Sequence, residues 1–300
     1  MTLRTDLALE SIYTHQDEGI IKQERQTGVC KVTNIQITTS YASRLVGKPM
    51  GNFVTLELEN LPQNETVEIE GIAKVLAEEI KKLLPRNYEK ILVVGLGNRN
   101  ITPDALGPDV MERVMVTGHV LSYLNQGDSH DFSAVSAICP GVLGITGIET
   151  VDIVKGVVEQ YRPSVVIAVD ALCAGSPHRM FRTVQLTDTG IHPGSGVGNR
   201  RDGLNKESLG VPVISIGIPT VVDSDAIVYT ALTRFFEAND SLAEAERMIG
   251  DMMQYTQGEM FVSPKEIDSL IAKSARVIAG GINLALHQNI DLTFSENFVS

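Results

Sequence analysis

KILVVGLGN, residues 90–98, is the stretch on which the fold turns. No polar side chain interrupts it between Ile91 and Val94. A strand with one wet face alternates, whereas a strand covered on both faces reads as a continuous apolar run. The run therefore predicts a central strand of a parallel sheet. Gly95 and Gly97 then allow a sharp, close turn out of it. PSVVIAVDAL (163–172) repeats the pattern, and VPVISIGIP (211–219) reads as a further strand.

Outward from this centre, CKVTNIQIT (30–38) and FVTLELEN (53–60) alternate at period two, as half-buried strands do. GKPMGN between them is turn chemistry, so a hairpin is expected. FSAVSAI (132–138) and RTVQLTD (182–188) are further strand candidates. Between the strands lie helical patterns. Ile69, Ile72, Leu76, Ile80 and Leu83 fall on one helical face, which Pro85 closes. Helices are also expected over about 107–119, 149–161 and 224–238, and through most of the chain after residue 239. In SPKEIDSL, from Ser263, a capping box with Glu266 is expected to start the last long helix. Residues 1–29 read as a tail or irregular lead-in. Strand–helix alternation over most of the length predicts a doubly wound α/β domain.

The chain has 300 residues, 43% of them hydrophobic and 21% charged, which is enough for a sizeable core. A formal net charge of −12 argues against a broad nucleic-acid surface. No run approaches the ~18 consecutive apolar residues of a membrane helix, so no membrane partner is expected. Cys30, Cys139 and Cys173 lack C-x-x-C spacing and point to a reducing, cytoplasmic-type compartment.

Chemistry is expected beyond the carboxyl ends of the strands. There the sequence places two carboxylates. Asp104 lies in the loop that leaves residues 90–98, and its bland reading is a helix cap. Asp170 closes a run of Val, Val, Ile, Ala and Val. A carboxylate there needs a partner or a function. If their strands are neighbours, the two proton affinities split, leaving one acid and one base. CPGVLGITGIET (139–150) reads either as a plain flexible loop or as a source of N–H groups for an oxyanion. Gly194, Gly196 and Gly198, followed by Arg200 and Arg201, offer a mobile loop or a grip on a carboxylate or phosphate. The spacing fits neither a Rossmann nor a Walker motif.

GLGNRNITPDALGP (95–108), PGVLGITGIET (140–150), VVIAVDALCA (165–174), HPGSGVGNRR (192–201) and GIPTVVD (217–223) together resemble the germination proteases of spore-forming bacteria. The resemblance implies a three-layer α/β/α sandwich with a twisted, mostly parallel central sheet, similar to hydrogenase maturation proteases. It implies an endopeptidase acting on small acid-soluble spore proteins in the cytoplasm of the forespore and in the spore core. It also implies a homotetramer made as a precursor, with Asp104 and Asp170 as the catalytic pair and no cofactor or metal. The alternative is a metal-linked maturation-type protease or metal-binding module of the same fold. Family substrates are cut after an acid, so Arg200 or Arg201 is expected to receive that carboxylate.

TDLALE, residues 5–10, matches the family's cleavage pattern of Thr, acid, apolar residue, Ala and a later Glu. By that resemblance residues 1–6 form a propeptide, cut between Asp6 and Leu7 by the chain itself. Residues 7–300 form one peptidase domain.

Overall fold

The computed structural model describes residues 4–12, 17–59, 66–121, 131–192, 203–237 and 260–299. Among the described residues nine strands form a single sheet. They are β1 (Ile20–Gln26), β2 (Cys30–Ile37), β3 (Gly51–Leu58), β4 (Lys90–Gly95), β5 (Ala134–Ile138), β6 (Val165–Ala174), β7 (Thr183–Thr187), β8 (Val213–Asp223) and β9 (Phe261–Val262). Their order is β1-β2-β3-β7-β8-β6-β4-β5, with β9 added on β8.

The sheet has two regimes. β8, β6, β4 and β5 pair in parallel, and β8, β6 and β4 are the strands buried along almost their whole length. β1, β2, β3, β7 and β8 pair antiparallel in that order, and so do β8 and β9. The central sheet is thus mixed, and its parallel part is confined to four strands. Strands that need no crossover can pair antiparallel with short connections, which is what residues 20–58 do.

Helices cover both faces. On one face lie α3 (Thr66–Leu83), α4 (Leu106–Met111) and the long helix Ile267–Leu286. Ile69, Ile72, Leu76 and Ile80 of α3 are all buried there, each contributing ~1.5–3 kcal/mol. The helix Ile267–Leu286 has the length and composition of a membrane span, but 72% of it is buried inside the protein. On the other face α7 (Thr150–Tyr161) and α8 (Lys206–Leu209) pack on Leu92, Val94, Val166 and Ala168. α1 (Ala8–Ile12) and α2 (Ser40–Val46) cover Ile35, Ile37 and Phe53.

Several expectations change. Residues 20–26 form β1, an edge strand whose charged, exposed face hides any apolar signal. The β2–β3 pair is antiparallel as expected, but α2 lies in its connection. The single helix expected over 107–119 breaks into α4 and α5 (Gly118–Leu121). Asn283 explains the break: its Oδ1 accepts from Met115 N at 2.9 Å and its Nδ2 donates to Arg113 O at 3.0 Å. The amide thus takes up backbone groups that a helix would have paired. The capping box at Ser263 does not form; the helix starts at Ile267 with no side-chain cap.

Candidate active site

Asp104 is placed by the turn that leaves β4. Leu96 N donates to Val169 O at 2.8 Å, carrying the β4–β6 pairing one residue past the strand. Gly97 then takes φ +110, and a Cβ there would lie 2.0 Å from Asp104 O, so only glycine closes this turn. Asn98 N donates both to Asp104 O at 3.1 Å and to its Oδ2 at 2.7 Å. Thr220 Oγ1 donates to Pro103 O at 2.7 Å, tying the loop to β8. Asp104 does not cap α4, whose N-terminus has no side-chain cap. Its half-buried carboxylate turns instead toward the strand ends.

Asp170 lies within β6 rather than at its end, because β8 also runs on and keeps pairing as far as Ala174. The side chain is buried. Ala171 N donates to Oδ1 at 2.9 Å. Burial holds the Asp170 carboxyl well above the usual carboxylate range, and the charges of Asp104 and Asp6 push it further. All three aspartates line one cavity of about 500 Å³. The two carboxylates singled out in the sequence are therefore brought together, and a third joins them.

Strand register supplies the rest of the floor. Asp170 pairs with Gly217 of β8, and Gly217 pairs with Gln185 of β7. The three form a row on one face of the sheet. With strands ~4.8 Å apart, Asp170 and Gln185 stand about 10 Å from each other. Gly217 leaves a gap in this row of side chains that Leu172 packs against, and a Cβ there would meet Leu172 Cγ at 2.6 Å and Asp170 O at 2.9 Å.

The N-terminal segment enters this space. Asp6 N donates to Cys173 O at 2.9 Å, and Cys173 N donates to Asp6 Oδ2 at 2.8 Å. These bonds form where the β6–β8 register shifts at Leu172/Cys173, as a bulged edge permits. The carbonyl of Asp6 accepts two bonds, from Lys48 Nζ at 3.0 Å and Gln185 Nε2 at 3.0 Å. Lys48 Nζ also donates to Thr5 O at 3.1 Å, and Gln185 Oε1 accepts from Ala8 N at 2.6 Å. Leu7 is fully buried against Leu172 and Ala174. Burial lowers the proton affinity of Lys48, against the charges of Asp6 and Glu10.

Four residues after Asp6, Glu10 is clamped. Its carboxylate accepts from Thr5 Oγ1 and from Gly175 N at 2.7 Å, and pairs with Arg179 Nε at 3.3 Å. Arg179 is itself anchored on Glu57 at 3.0 Å. Burial raises the Glu10 carboxyl, with the Thr5, Gly175 and Arg179 contacts opposing.

Arg200 and Arg201, expected to receive an acidic side chain, lie outside the described residues, as do Gly194, Gly196 and Gly198. Among the described residues the acids of TDLALE are met by Cys173 N–H, Gly175 N–H and Arg179. In the 139–150 loop the N–H groups of Ile145, Thr146 and Gly147 close their own turn, and the Asp6 carbonyl is met by donors from elsewhere in the fold. Lys48 and Gln185 take that place, and both escaped the sequence reading. Lys48 sits between Gly47 and Pro49, where turn signals dominate. Gln185 is the middle of a Thr-Gln-Thr face that reads as solvent-facing yet is buried. Among the described residues no three His, Cys, Asp or Glu side chains are arranged to hold a metal ion.

Comparison with known proteins places this geometry in a family. The germination protease family matches residues 5–238 and 237–299. The germination protease of Clostridium tetani is 40% identical over 315 residues, covering 97% of this chain and 98% of that protein. That of Bacillus subtilis is 38% identical over 347 residues, covering 96% and 94%. Among solved structures, the [NiFe] hydrogenase maturation protease HycI from Thermococcus kodakarensis covers 67% of this chain and 96% of its own, at 17% identity and a TM-score of 0.35. On the family match and the full-length relatives, the chain belongs to the germination proteases, a family of peptidases.

Proposed function

We propose that the protein is the spore endopeptidase that begins degradation of small acid-soluble spore proteins during germination. It works in the cytoplasm of the forespore and in the spore core, as a homotetramer made from a self-processing precursor. The cut falls after the acid of a Thr-acid-apolar-Ala-x-Glu sequence. In the precursor that sequence is residues 5–10, and the bond is Asp6–Leu7. One observation carries this reading: the Asp6–Leu7 peptide lies against the cavity that Asp104 and Asp170 line, with its carbonyl held by two donors.

Asp170, buried beside two other carboxylates, holds its proton and acts as the acid. Asp104, half exposed, acts as the base. It takes a proton from water as the water oxygen bonds to the Asp6 carbonyl carbon. The tetrahedral centre collapses, the C–N bond breaks, and Asp170 gives its proton to the leaving Leu7 nitrogen. The products are a carboxylic acid at Asp6, which keeps the second water proton, and an amine at Leu7; that proton then passes to the amine, leaving a carboxylate and an ammonium. Asp104 then carries the water proton, and its return to Asp170 resets the pair.

Asp104→Asn and Asp170→Asn in the full chain test this. Both are expected to fold and to keep residues 1–6, read by intact mass, and neither is expected to cut a spore-protein substrate. Processing at the parent rate in both variants overturns the aspartate mechanism. A chelator is expected to leave the parent rate unchanged; loss with EDTA and recovery with a divalent metal would favour the metal-linked reading.

A further inference from the structure

We infer that Lys48 and Gln185 are the oxyanion-binding pair of this peptidase, the groups that stabilise the charge formed on the Asp6 carbonyl oxygen as water adds. The inference rests on the reading of Asp6–Leu7 as the bond that is cut. Both donors converge on that one oxygen at 3.0 Å, from different elements: Lys48 from the α2–β3 connection and Gln185 from β7.

Each donor is fixed before reaction. Gln185 is buried, and its Oε1 is taken by Ala8 N at 2.6 Å, which turns its Nε2 toward the Asp6 carbonyl. The Gln185 amide therefore straddles the bond, holding the carbonyl on one side and the second N–H beyond it on the other. Lys48 is drawn in by two successive carbonyls, Thr5 and Asp6. Its ammonium is the positive group at a cavity whose described acids are Asp6, Asp104 and Asp170.

The placement suits an attack from the far side. Asp170 and Gln185 stand at opposite ends of the row whose middle is Gly217. The Asp6 residue whose carbonyl Gln185 holds lines the same cavity as Asp104 and Asp170. As the carbonyl oxygen gains full negative charge, its bonds to the ammonium and the amide strengthen, more so in a buried site than in water. Removing one such donor typically slows the chemical step by about 10²–10³-fold.

The test is the first-order rate at which the full chain loses residues 1–6, followed by intact mass, with melting temperature read on every variant. Lys48→Met and Gln185→Leu are each expected to slow the reaction about 100-fold in folded protein. Lys48→Arg, which keeps the charge, is expected to recover a large part of the loss. Should Lys48→Met fail to fold, Gln185→Leu carries the test, because it removes the donor and introduces no carboxyl that burial would keep protonated. Folded Lys48→Met and Gln185→Leu proteins that process within threefold of the parent would overturn the inference. The aspartate variants separate the two readings. If Asp104→Asn and Asp170→Asn are inert while the Lys48 and Gln185 variants run at the parent rate, only the oxyanion pair fails. If the aspartate variants run normally and the donor variants are slow, the aspartate mechanism fails and the oxyanion pair stands.

Discussion

The parallel and antiparallel halves of the sheet meet at β8 and bring different things to the cavity. The parallel half supplies Asp170 from within β6 and Asp104 from the turn after β4. One lies within, and the other just after, a strand buried on both faces. The antiparallel half supplies the grip: Gln185 from β7 and Lys48 from the chain entering β3. In the proposed mechanism the parallel half thus carries the groups that exchange protons, and the antiparallel half carries groups that hold the peptide by hydrogen bonds. The division has a physical root. Buried parallel strands end together on one edge, where a desolvated carboxylate has its proton affinity shifted. A strand with a polar face offers amides at fixed register, which are suited to holding a peptide.

That contrast can be broken by mutation. The largest effect is expected in the parallel half. Asp170→Asn or Asp104→Asn should lower the rate of self-processing by about 10²–10⁴-fold, measured by intact mass. A larger loss from Gln185→Leu than from either would reverse the division of labour. Next is the seam itself. Gly217→Ala puts a methyl within 3 Å of Leu172 and of Asp170 O. Misplacing the row in this way should slow processing on the order of 10²-fold and destabilise the fold by ~1–3 kcal/mol. A rate unchanged in Gly217→Ala would show that the gap is not used. A smaller effect is expected at the clamp on Glu10. Arg179→Ala should slow processing about tenfold, the worth of one charge-assisted hydrogen bond, and in a Glu10→Gln background it should add much less. Full additivity of the two would remove Arg179 as the partner of Glu10.

The smallest effect sharpens the comparison through stability. Asp170 binds its proton more tightly folded than unfolded. Its contribution is therefore fully present below the ordinary carboxylate value and is lost as pH rises through the raised folded value. At neutral pH and above, Asp170→Asn should raise the melting temperature by a few degrees, on the order of what 1 kcal/mol produces. Near pH 3 the variant and the parent should melt alike. Gln185→Leu, by contrast, should show no such pH-dependent gain, because an amide does not titrate.

The same division explains what could be read from the sequence. β4, β6 and β8 were legible because burial on both faces leaves an apolar run, Asp170 because a carboxylate closing such a run stands out, and Asp104 because it lies in the loop that leaves one. The resemblance singled out TDLALE, yet its seat on Cys173, Lys48, Gln185 and Arg179 depends on contacts 40 to 180 residues apart that no local pattern encodes. β1 was missed because an edge strand has few apolar residues to display. The break between α4 and α5 was missed because Asn283, far along the chain, takes the backbone groups. The mixed sheet followed from the same limit: alternation marked β2, β3 and β7 as strands but not which neighbours they would choose.

Leu7, Ala8 and Leu9 are wholly enclosed, and α1 behind them is packed under α2 and β2. Cutting the bond before Leu7 would therefore free only the upstream side. The downstream piece stays tethered, with Glu10 still in its clamp, so the first event leaves half of its own product in the groove. A second peptide needs that half to withdraw. On the proposed self-processing, maturation would be two events with separate clocks, a chemical cut and a retreat of the new end, and the slower of them would decide when the enzyme first meets a foreign chain.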